Sequence, residues 1–231
     1  MAYHLDDTTI SLDRLKTRLA RADLIPSQLL LRDDIDARFA SLQSEGYSNL
    51  ALLRDALRGS KGPARVSAQT SVPVDYLVVL RRVIEGMRPA PVALDSFPRL
   101  SPLLVSCLAD HGIRDSKSAY ETMLADDGID NLASRTGRGI DELHHVWCLA
   151  NVSRIQWVSP RVATALVAAG YESVARVAVA SPDSLCADVQ EANDSNSLYR
   201  GKVGVRDMAR LIEFAGWLVE LEGANVKEAG A

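Results

Sequence analysis

Aromatic side chains are scarce in this chain: three Trp, six Tyr and three Phe make up only 5% of 231 residues. A core with so few rings has to be aliphatic, built from Leu, Val, Ile and Ala, and that mixture suits packed helices better than a β-sandwich. Cysteine is scarcer still. Cys107, Cys148 and Cys186 are an odd number without close spacing, which predicts reduced thiols and a cytoplasmic setting and not a disulfide framework. No apolar run approaches the ~20 residues that span a bilayer. The opening MAYHLDDTTISLDR lacks the basic-then-apolar order of a secretion signal, so no membrane association is expected. An excess of one charge sign is missing too. With 26 Lys plus Arg against 30 Asp plus Glu, the formal net charge is −4, which gives the whole molecule no long-range attraction to phosphate backbones or anionic lipid; binding nucleic acid would need a local patch. Nucleophile motifs, phosphate-cradling glycine loops and paired carboxylates are absent as well, and the expectation is a non-enzyme without cofactor or metal.

What the chain does have is self-similarity, the feature that decides how everything else is read. One segment recurs as LRDDIDARFASLQSEGYSNL (31–50), FPRLSPLLVSCLADHGIRDS (97–116) and IQWVSPRVATALVAAGYESV (155–174). Each is anchored on a glycine followed by an apolar residue: Gly46-Tyr47, Gly112-Ile113 and Gly170-Tyr171. The offset from Gly46 to Gly112 is 66 residues, and the same offset lays SAQTSVPVDYL (67–77) on ASRTGRGIDEL (133–143). In the third copy GKVGVRDM (201–208) continues the second stretch after an insertion whose polar NDSNS run (193–197) reads as a loop.

The ends of these segments predict helices. Ser101-Pro102, Ser159-Pro160 and Ser181-Pro182 put a hydroxyl at the N-cap and a ring at the first helical position. Gly112 and Gly170 suit the left-handed residue that stops a helix. Leu103, Leu104, Cys107 and Leu108 make an apolar stripe in one copy, and Val162, Ala165, Leu166 and Ala169 in another. A second helix is expected after each glycine, and a third, longer one over 74–87, 140–153 and 205–221. A helix over about 11–22, with Leu12, Leu15 and Leu19, closes one end of the stack. The expected class is therefore all-α: a capping helix in 1–24, repeats over 25–90, 91–154 and 155–222 packed into one compact array, and a flexible tail at 223–231.

The order of apolar residue, short turn, Ser-Pro, small-residue helix and glycine resembles the helix-hairpin-helix motif of the SAM-like class, in which an apolar residue, Pro, Gly, Ile and Gly lead into a helix ending in Gly-Ile or Gly-Val. Phe97 to Gly112 and Ile155 to Gly170 keep its 15-residue spacing. Together with Leu132-Ala133-Ser134-Arg135-Thr136-Gly137 and the WCLANVSRI helix (147–155), the chain is similar over about residues 25–222, most strongly over 97–190, to a bacterial family of tandem helix-hairpin-helix proteins known only as a domain of unknown function. The resemblance implies a fold and no activity. It also shows where the chain departs. Where nucleic-acid-binding members carry hairpin glycines that let bare backbone approach a phosphate, this chain has Arg99 and Ser101, Trp157 and Ser159, and the acidic Asp33-Asp34.

These positions give the candidate surfaces. Arg99, Ser101, Trp157 and Ser159 are the expected contacts for a protein partner, although Trp157 is equally suited to plug the junction between the second and third copies. Residues 54–88 are locally basic: Arg54, Arg58, Lys61, Arg65, Arg81, Arg82 and Arg88 face Asp55, Asp75 and Glu85, and the flexible GSKGPA stretch (59–64) adds reach. This is the expected polyanion site if nucleic acid is the partner, and otherwise a solvated face. A groove between stacked copies is a third possibility, for a small apolar ligand. Cys107 with His111 and His144 with Cys148 have the i, i+4 spacing of zinc ligands, but Cys107 reads better as a small core residue. His144 and His145 point about 100° apart on a helix and share no site, and Asp141 and Glu142 read as first-turn acids.

Overall fold

The computed structural model describes residues 2–229, with side chains as far as Gly223. It is all-helical; among the described residues no strand forms, and extended backbone pairs only as isolated bridges at Ser11 with Asn49 and Ala93 with Asp115. The chain divides into two compact units, Asp6–Arg88 and Met1–Leu5 with Pro89–Ala231.

In the unit Asp6–Arg88, α1 (Leu12–Arg21) starts at Ser11, whose hydroxyl accepts from the Arg14 N–H. It buries Leu12, Leu15 and Leu19, a single face at helical spacing worth roughly 1.5–3 kcal/mol per leucine. After a 3-10 segment (Pro26–Arg32) come α2 (Ile35–Ser44), α3 (Leu50–Ala56), α4 (Gly62–Thr70) and α5 (Val74–Gly86). The larger unit holds α6 (Pro102–Asp110), α7 (Ser116–Leu124), α8 (Gly128–Thr136), α9 (Ile140–Val152), α10 (Pro160–Ala168), α11 (Val174–Ala178), α12 (Pro182–Asn196) and α13 (Val205–Ala229).

The three glycine anchors have the same backbone. Gly46, Gly112 and Gly170 lie at φ +89°, +82° and +85°. Each donates its N–H to a carbonyl three residues back (Gln43, Ala109, Val167), and the next residue donates to the carbonyl five back (Leu42, Leu108, Leu166). That pair of bonds satisfies the carbonyls a helix leaves open at its end, and it requires a left-handed residue between them. Three positions on, Asn49, Asp115 and Ser173 cap α3, α7 and α11 with their side chains. The first N–H of these helices is bonded in every case: Leu50 to the Ile10 carbonyl, Ser116 to the Val92 carbonyl, and Val174 to Oδ1 of the buried Asn151.

The 66-residue offset continues past the glycines, for α3, α4 and α5 begin at 50, 62 and 74 and α7, α8 and α9 at 116, 128 and 140. Gly62 and Gly128 both enter their helix against the preceding turn. A Cβ there would lie 2.4 Å from the Leu57 carbonyl carbon or 2.6 Å from the Thr122 oxygen, so no side chain fits. The GSKGPA stretch is thus ordered from its second glycine onward, because Gly62 and Pro63 are buried as the first turn of α4.

One further expectation needs correction. The NDSNS run is not a loop: α12 continues through Asn196, and only Ser197 turns left-handed, at φ 52°. No Gly or Pro interrupts that run, and its side chains bond within the helix, Asn196 Nδ2 to the Ala192 carbonyl and Gln190 Nε2 to Asp194. Buried Asn193 then accepts from the Tyr199 N–H and holds the exit. The tail read over 223–231 is helical in its backbone to Ala229, and residues 230–231 lie outside the described part.

Candidate functional site

The backbone before α6 and α10 bends where the motif expects glycine, although the residues are bulky. Arg99 has φ 71° and Trp157 φ 69°, and Asp34, before α2, has φ 47°. The two turns differ in what their side chains do. Arg99 donates from Nη2 to the Asn196 carbonyl at 3.2 Å and from Nη1 to Asn196 Oδ1, which ties it to the end of α12. Trp157 is 53% exposed. Ser159 caps α10 by accepting from the Val162 N–H at 3.3 Å, whereas Ser101 stands at the N-cap of α6 without a side-chain bond. Next to it Leu103 is 72% exposed, so the expected stripe of α6 narrows to Leu104 and Leu108, with Cys107 half-buried at its edge.

The seven basic residues of 54–88 do not form one open patch. Arg54 is half-buried and donates from Nε to Asp7 at 2.7 Å and from Nη1 to the Ile84 carbonyl at 2.7 Å. Arg88 reaches the same Asp7 at 3.7 Å. Arg65 donates to the Ala56 carbonyl at the open end of α3, where a cation is favoured, and Arg81 to the Gly59 carbonyl in the turn that follows. Arg58 pairs with Asp55 across one turn. Lys61 and Arg82 are exposed.

Neither cysteine pair assembles a wider site. His111 Nδ1 bonds the Cys107 carbonyl on α6, and His144 Nδ1 lies 3.5 Å from Cys148 Sγ on α9. Among the described residues no group of three or more His, Cys, Asp or Glu is placed to hold a metal ion. Burial pushes the Cys148 thiol up to about 11, with the charge of Glu172 adding to it, so it is protonated at neutral pH. Asp141 and Glu142 lie in the first turn of α9.

The most polar buried centre is one that sequence reading passes over. Arg154, at the end of α9, has only 3% of its side chain exposed. It donates from Nε to the Tyr3 carbonyl at 2.9 Å, from Nη1 to the Tyr120 hydroxyl at 2.8 Å and from Nη2 to Glu222 of α13. Its guanidinium also lies 4.5 Å from the centre of the Tyr120 ring. Tyr3 in turn bonds the Ser116 hydroxyl at 2.8 Å, which anchors the N-terminal segment in this unit. Burial raises both phenols, Tyr3 and Tyr120, above their ordinary range, with Arg154 opposing the shift. Trp147 stacks parallel to Tyr120 with ring centres 6.4 Å apart. Beside these groups, between α7, α9, α11 and α13, opens a pocket of about 440 Å³. The one sequence signal for this centre is an arginine inside the otherwise uncharged run from Leu149 to Gln156.

The model of the family described as Domain of unknown function (DUF4332) matches residues 100–218, more than half of the chain, and the chain belongs to that family. The match spans α6 to α12 and most of α13. No curated protein and no solved structure matches the chain. Among the described residues no helix is long and apolar enough to cross a membrane.

Proposed function

We propose that this chain is a non-catalytic interaction module of three helix-hairpin-helix-like copies, and that it holds a protein partner at the hairpin before α10. Trp157 carries the reading. A residue other than glycine in left-handed backbone costs about 1–2 kcal/mol, and an exposed indole leaves apolar surface in water. The left-handed backbone turns the chain into α10, as it does before α6 at Arg99, and the exposed indole it carries suits an anchor that buries itself in a partner's pocket. The three-copy reading is supported by the matching φ angles, hydrogen bonds and caps around Gly46, Gly112 and Gly170 and by the shared 66-residue offset of the first two. The hairpin before α6 is the weaker contact, since Arg99 is bound to Asn196. A cytoplasmic setting fits the three unpaired thiols.

Nucleic acid is less well supported as the partner. Arg54, Arg65 and Arg81 already donate to backbone carbonyls, and Arg54 and Arg88 share Asp7. The test is affinity capture from extract of the source cells with wild type, Trp157→Ala and Trp157→Gly, the last of which also relieves the backbone. A partner kept by wild type and lost by both variants is expected. Identical protein sets from all three, or DNA binding that falls steeply with salt, would overturn the reading.

A further inference from the structure

The pocket beside Arg154 belongs to neither the hairpins nor the basic region. Its walls are mainly apolar, formed by Leu124 of α7, Trp147 of α9, Val174 and Ala175 of α11 and Val219 of α13. Donors predominate among its polar lining groups, beside the hydroxyl of Ser173 and the carboxylate of Glu222. The Tyr120 hydroxyl accepts from Arg154, so its own hydrogen needs an acceptor elsewhere, and none is found among the described residues. Asn151 accepts from the Val174 N–H through Oδ1, while its Nδ2 donates to no group among the described residues. Arg154 uses three of its five N–H groups. The acidic lining group, Glu222, gives its Oε1 to Arg154, so the guanidinium charge is balanced while spare donors remain. Trp147 Nε1, on another lining residue, is buried and has no hydrogen-bond partner among the described residues. Spare donors in a mainly apolar hollow call for an acceptor on an apolar body, since an unmet buried donor is costly.

We propose that this pocket binds a small, mainly apolar molecule that ends in a hydrogen-bond acceptor, either a carbonyl or a carboxylate. The acceptor end meets Tyr120, Asn151 and Arg154, and the apolar body lies against Leu124, Val174 and Val219. This site is separate from the Trp157 surface.

Octanoate, 2-octanone and octyltrimethylammonium serve as probes for calorimetric titration of the whole chain. Octanoate and 2-octanone are expected to bind and the cation, which has no acceptor, at least tenfold more weakly. Ala175→Trp, which fills the pocket from the exposed end of α11, is expected to weaken octanoate at least tenfold, and Val219→Trp does the same from α13 should the first variant fail to fold. Tyr120→Phe removes one donor and costs roughly three- to tenfold. Trp157→Ala leaves octanoate binding unchanged, whether or not a protein partner is lost, so the two proposals fail separately. Unchanged octanoate affinity in a folded pocket-filling variant, equal binding of the cation, or no binding of either acceptor probe at millimolar concentration overturns the proposal.

Discussion

Replacing Gly46, Gly112 and Gly170 by alanine, one at a time, separates backbone conformation from packing. All three lie close to φ +85°, and a Cβ built at any of them meets no atom within 4 Å. The substitution therefore adds no steric clash, and its cost is that of holding an L-residue in left-handed backbone, about 1–2 kcal/mol. Alanine also restricts the unfolded chain, which returns about 0.4–1 kcal/mol. The expected net loss is about 1 kcal/mol at each position, equal among the three to within about 0.5 kcal/mol. Urea unfolding reads this as a midpoint shift of roughly 0.3–1 M, given slopes of about 1–3 kcal/mol/M. Gly46 reports on the unit Asp6–Arg88, and the other two on the larger unit. Gly62→Ala supplies the contrast, because its Cβ would fall 2.4 Å from the Leu57 carbonyl carbon and overpacking adds about 1–3 kcal/mol. If any of the three turn glycines proved neutral to alanine, or as costly as Gly62→Ala, the claim that they share one backbone turn would fail.

Arg154→Met strands Glu222 and the Tyr3 carbonyl, so the larger unit is expected to lose about 3 kcal/mol, with part recovered on adding Glu222→Gln; a loss below about 1 kcal/mol in denaturant unfolding contradicts the role given to this centre. Cys148 is buried and its thiol pushed up to about 11, so a disulfide reagent at pH 8 is expected to modify half-exposed Cys107 and Cys186 and to reach Cys148 only after unfolding; three equal rates refute this. Burial pushes the Tyr76 phenol up from 10.0 to about 12, with Arg38 opposing and Asp33 adding to the shift. The folded state then holds that proton more tightly than the unfolded state, so the contribution is complete below pH 10 and is lost as pH rises toward 12. Unfolding of the unit Asp6–Arg88 at pH 9 and pH 11 measures it, and Tyr76→Phe should remove the difference.

Much of the helical plan is written locally. Ser159 before Pro160 and glycine at 170 state where α10 starts and stops in terms that need only a few neighbours, which is why caps and turns are legible in a single sequence. Contacts that cross the chain are not. Arg154 meets groups 151, 34 and 68 residues away, and no spacing rule connects them. The basic region reads as an open patch because composition counts charges, whereas Arg65 and Arg81 fold back onto carbonyls at the end of α3 and in the turn after it. The same limit applies to Arg99: its exposure follows from the hairpin, but its bond to Asn196 depends on α12 continuing six residues further than α8 does before its left-handed stop. Of the hairpin residues, Trp157 alone combines the predicted position, a strained φ and an exposed apolar side chain.

Photo-crosslinking from position 157 in living source cells tests the central claim most directly. With a photoreactive aromatic residue in place of Trp157, the account predicts one or a few discrete protein adducts that are absent when the same residue replaces exposed Gln69. Adducts identical from both positions, or none from position 157, would contradict it.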